Sequence, residues 1–232
     1  MELTLRRRAI ARTLAAAILI LVIGDLGAKL MKDLAGRDYV YGLVPSFQVG
    51  GEANIPTWYS SIALAVAAGL LAISAVLVRR SGGPYWRHWA ALGVIFLMLS
   101  MDEVAQLHEL TVRPVTAILK NQFLWYISWV VPAGVLLVVF GIAYWRFFLA
   151  LPGPTRRGFA VAFMVYVGGA LGMELATAAF GRMWEERFHF LFNLTEETME
   201  MAGVVILILT VTGFIERGFG SVTIRLQDAR KE

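Results

Sequence analysis

Seven residues carry the strongest chemical signal in this chain: Asp102, Glu103, His108 and Glu109 in one segment, and Glu196, Glu197 and Glu200 in another. Both groups lie in long apolar runs, where an ionised acid near the bilayer centre costs about 2.5–3.5 kcal/mol on insertion scales. Acids kept at such positions face the bundle interior, where they pair or bind. Hard oxygen donors with an imidazole suit Fe, Mn, Zn or Ca better than copper(I). A bound ion of that kind would activate water or oxygen while a neighbouring glutamate moves protons. The chain has no cysteine, which excludes thiol catalysis, thiolate-bound metals and a disulfide scaffold.

Several motif readings fail. His108-Glu109 opens a zinc-protease pattern, but the residue needed as the second histidine is Val112. Glu185-Glu186 and Glu196-Glu197 suggest paired-glutamate intramembrane proteases, but the required arginine positions hold Phe190 and Met201. There is no phosphate loop, dinucleotide fingerprint or nucleophile elbow. Carboxylate metal sites in helix bundles use two Glu-x-x-His spacings, and only Glu186 to His189 supplies one. Glu186 and His189 are therefore weaker metal candidates.

Helical spacing groups the acids further. On one continuous helix Asp102, Gln106 and Glu109 share a face, with Arg113 next on it, and His108 points elsewhere. Glu196, Glu200 and Gly203 share a face of a later helix. Asp25 and Lys29 stand four apart and are placed to pair. The expected pocket has Asp102, Glu109 and Glu200 at its centre, with Glu103, His108, Glu196 and Glu197 around them. Glu174 and the Asp25–Lys29 pair would form its deeper wall, and Glu52, Asn54 and Trp58 a lid. Carboxylates so crowded cannot all ionise without a counter-charge. The plainer alternatives are salt bridges, such as Glu109 with Arg113 and Glu185 or Glu186 with Arg182 and Arg187.

The elements that position these residues follow from composition. Of 232 residues, 58% are hydrophobic and 16% charged, and the mean hydropathy is +0.67, too apolar for a soluble domain of this size. Six runs reach the ~20 residues a bilayer crossing needs: about 9–31, 58–78, 89–110, 123–145, 159–180 and 193–215. They are continuous rather than alternating, which excludes a β-barrel. The expected fold is one all-α domain over 1–232, a bundle of six transmembrane helices with an outer loop at 32–57. That loop either rests on the membrane or folds back over the bundle. The tail from Gly218 is expected to fray. Ala63, Ala67, Ala68, Gly168, Gly169 and Gly172 mark close helix approaches.

Charge sets the orientation. Fourteen of the twenty-one Lys and Arg residues fall before the first run or in its first turn, in the even-numbered connections or after the last run, leaving seven on the other side. The excess places both termini in the cytoplasm. The +4 net charge is thus an orientation signal and does not point to nucleic acid. Thirteen of the seventeen acids lie on the outer side, which has a net charge of −6. The acidic pocket therefore opens outward, and the expected location is a bacterial inner membrane with the site on the periplasmic or extracellular face.

The segments Glu52-Ala-Asn54-Ile-Pro56-Thr57-Trp58, Asp102-Glu103 with His108-Glu109, and Glu196-Glu197-Thr198-Met199-Glu200-Met201-Ala-Gly203 resemble signatures of an uncharacterised family of bacterial multi-pass membrane proteins. The resemblance implies that the three segments belong together, and it implies no activity. Two functional classes follow from the residues: a membrane metalloprotein, with or without enzymatic action on a lipid or small apolar substrate in the bilayer, and a proton- or cation-coupled transporter or channel. A non-catalytic assembly subunit is a third. The sequence expectation is a divalent metal in the outer pocket, bound less well at low pH.

Overall fold

Within hydrocarbon no water meets the backbone, so each apolar run closes its own hydrogen bonds as a helix. The structure is a computed structural model that describes residues 2–4, 7–36, 39, 42–51, 53–111, 129–180, 186–220 and 223–225. The order is β1 (Glu2–Thr4), α1 (Arg7–Ala35), α2 (Leu43–Phe47), α3 (Ile55–Arg80), α4 (Trp86–Ala105) and a 3₁₀ turn (Leu107–Thr111). There follow α5 (Val130–Ala150), α6 (Gly153–Val167), a π-helical segment (Gly168–Met173), α7 (Glu174–Phe180), α8 (Glu186–Phe219) and β2 (Thr223–Arg225). Six described helices are long and apolar enough to span a membrane, with α6, the π segment and α7 acting as one.

Two boundaries depart from the sequence reading. The third span ends at Ala105, not near Leu110, because Gln106 adopts a left-handed conformation (φ 52°). The sixth begins at Glu186, well before Asn193, so His189 lies in a helix, not in a loop. The tail is also not wholly free. Leu3 pairs with Ile224 in an antiparallel two-stranded ribbon, so both chain ends sit at one end of the bundle. The opposite end is called distal below.

Helix α8 is the central element, packed against α1, α3, α6 and the π segment. Its Val204, Leu207, Ile208 and Val211 meet Ala63, Ala67, Leu71 and Ala75 of α3 and Trp89 and Leu92 of α4 in one core. Small residues let the backbones approach: a Cβ on Gly93 of α4 would lie 3.2 Å from the Ala68 carbonyl of α3. Toward the distal end the same two helices exchange hydrogen bonds. Ser61 Oγ donates to the Ser100 carbonyl and Ser100 Oγ to the Ser61 carbonyl, each at 2.8 Å. Asn54 begins α3 by accepting the Thr57 N–H at 3.1 Å, while its amide donates to the carbonyls of Gln48 and Gly51. That cap fixes the loop carrying α2, which folds back over the bundle onto α1.

Candidate functional site

The break at Gln106 creates the site's first element. Its N–H closes on the Asp102 carbonyl at 2.6 Å, and the chain then turns back. Both carboxylate oxygens of Asp102 are used by one residue: Oδ1 accepts the His108 backbone N–H at 2.8 Å, and Oδ2 lies 3.0 Å from His108 Nδ1. The expected shared face of Asp102, Gln106 and Glu109 is therefore not formed, since a left-handed residue ends the helix that would create it. His108, expected on a separate face, is instead the direct partner of Asp102. A proton on Nδ1 shared with Asp102 would leave Nε2 as the basic nitrogen, as in other carboxylate–imidazole pairs. The His108 ring also meets that of Trp129, with centroids 5.6 Å apart. The Glu109 side chain and Arg113 lie outside the described residues.

The second element is the π segment. Its wider turn shifts the residues that follow it relative to a regular helix, and such turns concentrate at functional sites. Glu174 comes directly after it and makes a side-chain hydrogen bond with Trp129, within the electrostatic reach of His108. Gly169 lets this segment approach α8: a Cβ there would lie 2.8 Å from the Glu196 carbonyl and 3.2 Å from Glu200 Cγ. The neighbouring Gly172 faces open space.

Helix α8 supplies the third element, Glu196, Glu197 and Glu200. Glu200 stands in the field of Glu197, Glu103, Glu196 and Glu174, all of them acids. Tyr166 of α6 stands in the field of Glu200, Glu103, Asp102 and Glu197. Six carboxylates from α4, α7 and α8 thus gather with His108, Trp129 and Tyr166 at the distal end. The hydroxyls of Thr177 and Thr198, on the same α7 and α8, are buried without a hydrogen-bond partner among the described residues. Buried polar atoms left so call for water or a ligand.

The other candidates lie elsewhere. Asp25 does not pair with Lys29. It is 3% exposed and accepts the Val49 N–H at 3.1 Å, because the folded-back loop brings a backbone donor to it. Lys29 instead bonds Asp33 at 3.0 Å. Asp25, Lys29 and His189 line a separate cavity of about 190 Å³ with Gln48 and Asn193, so they are not the wall of the acidic cluster. Asn54 is a helix cap, Trp58 is 66% exposed on the outside of α3, and Glu52 lies outside the described residues. Asn54 and Trp58 therefore do not close over the acids. The Glu186 side chain is also outside the described residues.

Among the described residues no group of three or more His, Asp and Glu is arranged to hold a metal ion. The acids share a field without forming a preassembled coordination sphere.

Below the cluster lies a larger cavity of about 310 Å³, lined almost wholly by apolar atoms from α4, α5, α6 and α8. Tyr166 and Gly203 form its distal end. A Cβ on Gly203 would lie 2.7 Å from Tyr166 Cβ, so this glycine is what seats the tyrosine. Neither Tyr166 nor Trp129 is among the residues that the sequence pattern singles out. The Gly168-Gly169 pair five residues before Glu174 was the available signal for an irregular helix there.

A family model described as a domain of unknown function (DUF8692) matches residues 11–213, nearly the whole chain. The chain belongs to the DUF8692 family. The matched range includes every acid of the cluster, four of the six apolar helices whole and most of the first and the last. No curated protein and no solved structure matches the chain.

Proposed function

We propose that this DUF8692 protein binds a cation in an outward-facing carboxylate pocket of a bacterial inner membrane, with both termini in the cytoplasm. The observation that carries the reading is the setting of Glu200, among four other acids at the distal end of an apolar bundle. Such a concentration of negative charge, half-buried in an apolar bundle, must be neutralised by shared protons or by a cation. Binding a cation in exchange for protons meets both requirements. The Asp102–His108 pair is the residue set best arranged to take up a proton during chemistry on a bound molecule. A divalent ion such as Fe, Mn, Zn or Ca is one cation that oxygen donors suit, if ligand binding draws the acids together.

Transport of a cation through the bundle has less support. Beneath Tyr166 the interior is apolar, and Thr210 and Thr212 spend their hydroxyls on the carbonyls of Ile206 and Ile208 of their own helix. The reading is tested by elemental analysis and equilibrium binding of Mn²⁺, Zn²⁺, Ca²⁺ and tetramethylammonium. The protein is purified without chelator or nickel affinity. Saturable binding near one equivalent, lost in Glu200→Gln and in Asp102→Asn, is the expected result. Equal binding by wild type and both variants would reject it.

A further inference from the structure

The large cavity has the shape and chemistry of a chain-binding site. Protein interiors leave few voids larger than a water molecule, whereas this one, at about 310 Å³, reaches the lower end of the range for ligand pockets, roughly 300–1,000 Å³. Phe96, Phe140, Tyr144 and Phe159 contribute rings to its wall. Helix α5 meets the core through such bulky side chains instead of by close backbone approach, which leaves a gap along its side. Gly141 of α5 faces that gap, and a Cβ there would touch nothing within 4 Å. Met164 of α6 and Trp145 of α5, 62% and 60% exposed, also line the cavity, so its mouth faces the surrounding lipid between α5 and α6.

The opposite end of the cavity leads to charge. Gly203 and Tyr166 line that end, and Glu200 lies three residues, one helical turn, beyond Gly203 on the same face of α8. The Tyr166 side chain spans the two regions, being part of the apolar wall and in the field of Asp102, Glu103, Glu197 and Glu200. An apolar chain entering from the bilayer would thus carry its head toward a group of carboxylates. An anionic head would be repelled there, a neutral one would leave the acids without a counter-charge, and a cationic one would supply it.

We propose that the ligand is an amphiphilic amine. Its single apolar chain occupies the cavity between α5 and α6, and its positive head sits beyond Tyr166 among the carboxylates around Glu200. The proposal rests on the reading of the acidic cluster as a cation site and extends it to a substrate class drawn from the membrane.

The test is photolabelling in phosphatidylcholine nanodiscs with three probes of the same chain length, each carrying a diazirine in the chain: a primary amine, an alcohol and a carboxylate. The amine should label peptides of α5 and α6, and its apparent affinity should exceed that of the alcohol by about tenfold or more, the consequence of a desolvated charge pair. Glu200→Gln should erase that preference while leaving weak labelling by the alcohol. Gly141→Phe and, independently, Phe in place of the cavity-lining Ala160 of α6 (Ala160→Phe) should block labelling by all three probes. Tetramethylammonium binding is measured on the same variants. If it persists in Gly141→Phe and Ala160→Phe while amine labelling is lost, both readings stand. If tetramethylammonium binds but labelling is equal for the three probes, or is unmoved by both cavity substitutions, the cavity holds only ordinary bilayer lipid and the chain site is wrong. If the amine labels through the cavity with a preference that Glu200→Gln does not change, the cluster is not what reads the head, and the amine assignment falls.

Discussion

Replacing Gly169 by alanine adds one methyl group at the point where the π segment meets α8. The added Cβ would sit 2.8 Å from the Glu196 carbonyl, 3.0 Å from Met199 Cβ and 3.2 Å from Glu200 Cγ. The nearest of these is backbone, so relief requires a shift of the π segment or of α8. Overpacking of this kind costs about 1–3 kcal/mol. Alanine in place of glycine in a helical segment returns about 0.8–1 kcal/mol. The net expectation for Gly169→Ala is destabilisation by up to about 2 kcal/mol. Gly172→Ala, three residues on, meets nothing within 4 Å and should be neutral or slightly stabilising. The assay is reversible unfolding of the purified protein in mixed detergent micelles, followed by circular dichroism, with both variants measured beside wild type. Gly169→Ala should also weaken cation binding, because the same contact sets Glu174 against Glu196 and Glu200. Equal stability of the two variants, or greater loss in Gly172→Ala, would refute the close approach on which the cluster depends.

Other substitutions separate the remaining elements. Asn54→Ala removes the α3 cap and its two amide bonds to the preceding loop, and should lower stability by about 1–2 kcal/mol in the same unfolding assay. Ser61→Ala and Ser100→Ala each remove one bond from a hydroxyl to a carbonyl of the other helix, and each should cost about 0.6 kcal/mol, the average for hydrogen bonds between membrane helices. Asp102→Ala removes both acceptors of His108 and should cost about 1.5–3 kcal/mol, with a change in the His108 imidazole ¹⁵N shifts. Asp102→Asn, which can keep the bond to the backbone N–H, should cost less. A reporter active only in the cytoplasm, fused after Glu232, should be active, and activity only in the periplasm would invert the orientation.

The helical fold was legible because hydrophobic length is read residue by residue and hydrocarbon leaves the backbone few alternatives. The grouping of acids was legible for a related reason: Asp102 and Glu200 stand out against apolar neighbours. Local partners were less legible because they depend on where a helix stops. The Asp102–His108 contact exists only because Gln106 takes φ 52°, a conformation its side chain does not demand. Asp25 and Lys29 have the spacing of a pair, yet a loop more than twenty residues away supplies a better donor to Asp25. The three glycines Gly168, Gly169 and Gly172 read alike in the sequence, and only the position of α8 distinguishes the crowded one from the open one. The metal-ligand spacing was weak in the sequence, and the described residues do not complete it.

The proposed function requires that cations enter the carboxylate cluster in exchange for protons. It is tested most directly by titrating a divalent ion or tetramethylammonium into weakly buffered, detergent-solubilised protein and recording proton release by a pH indicator alongside bound cation. Such exchange should give saturable binding with about one proton released per cation, weaker binding as the pH falls because protons compete for the same oxygens, and loss of both signals in Glu200→Gln. Binding without proton release, or release that is undiminished in Glu200→Gln, would contradict it.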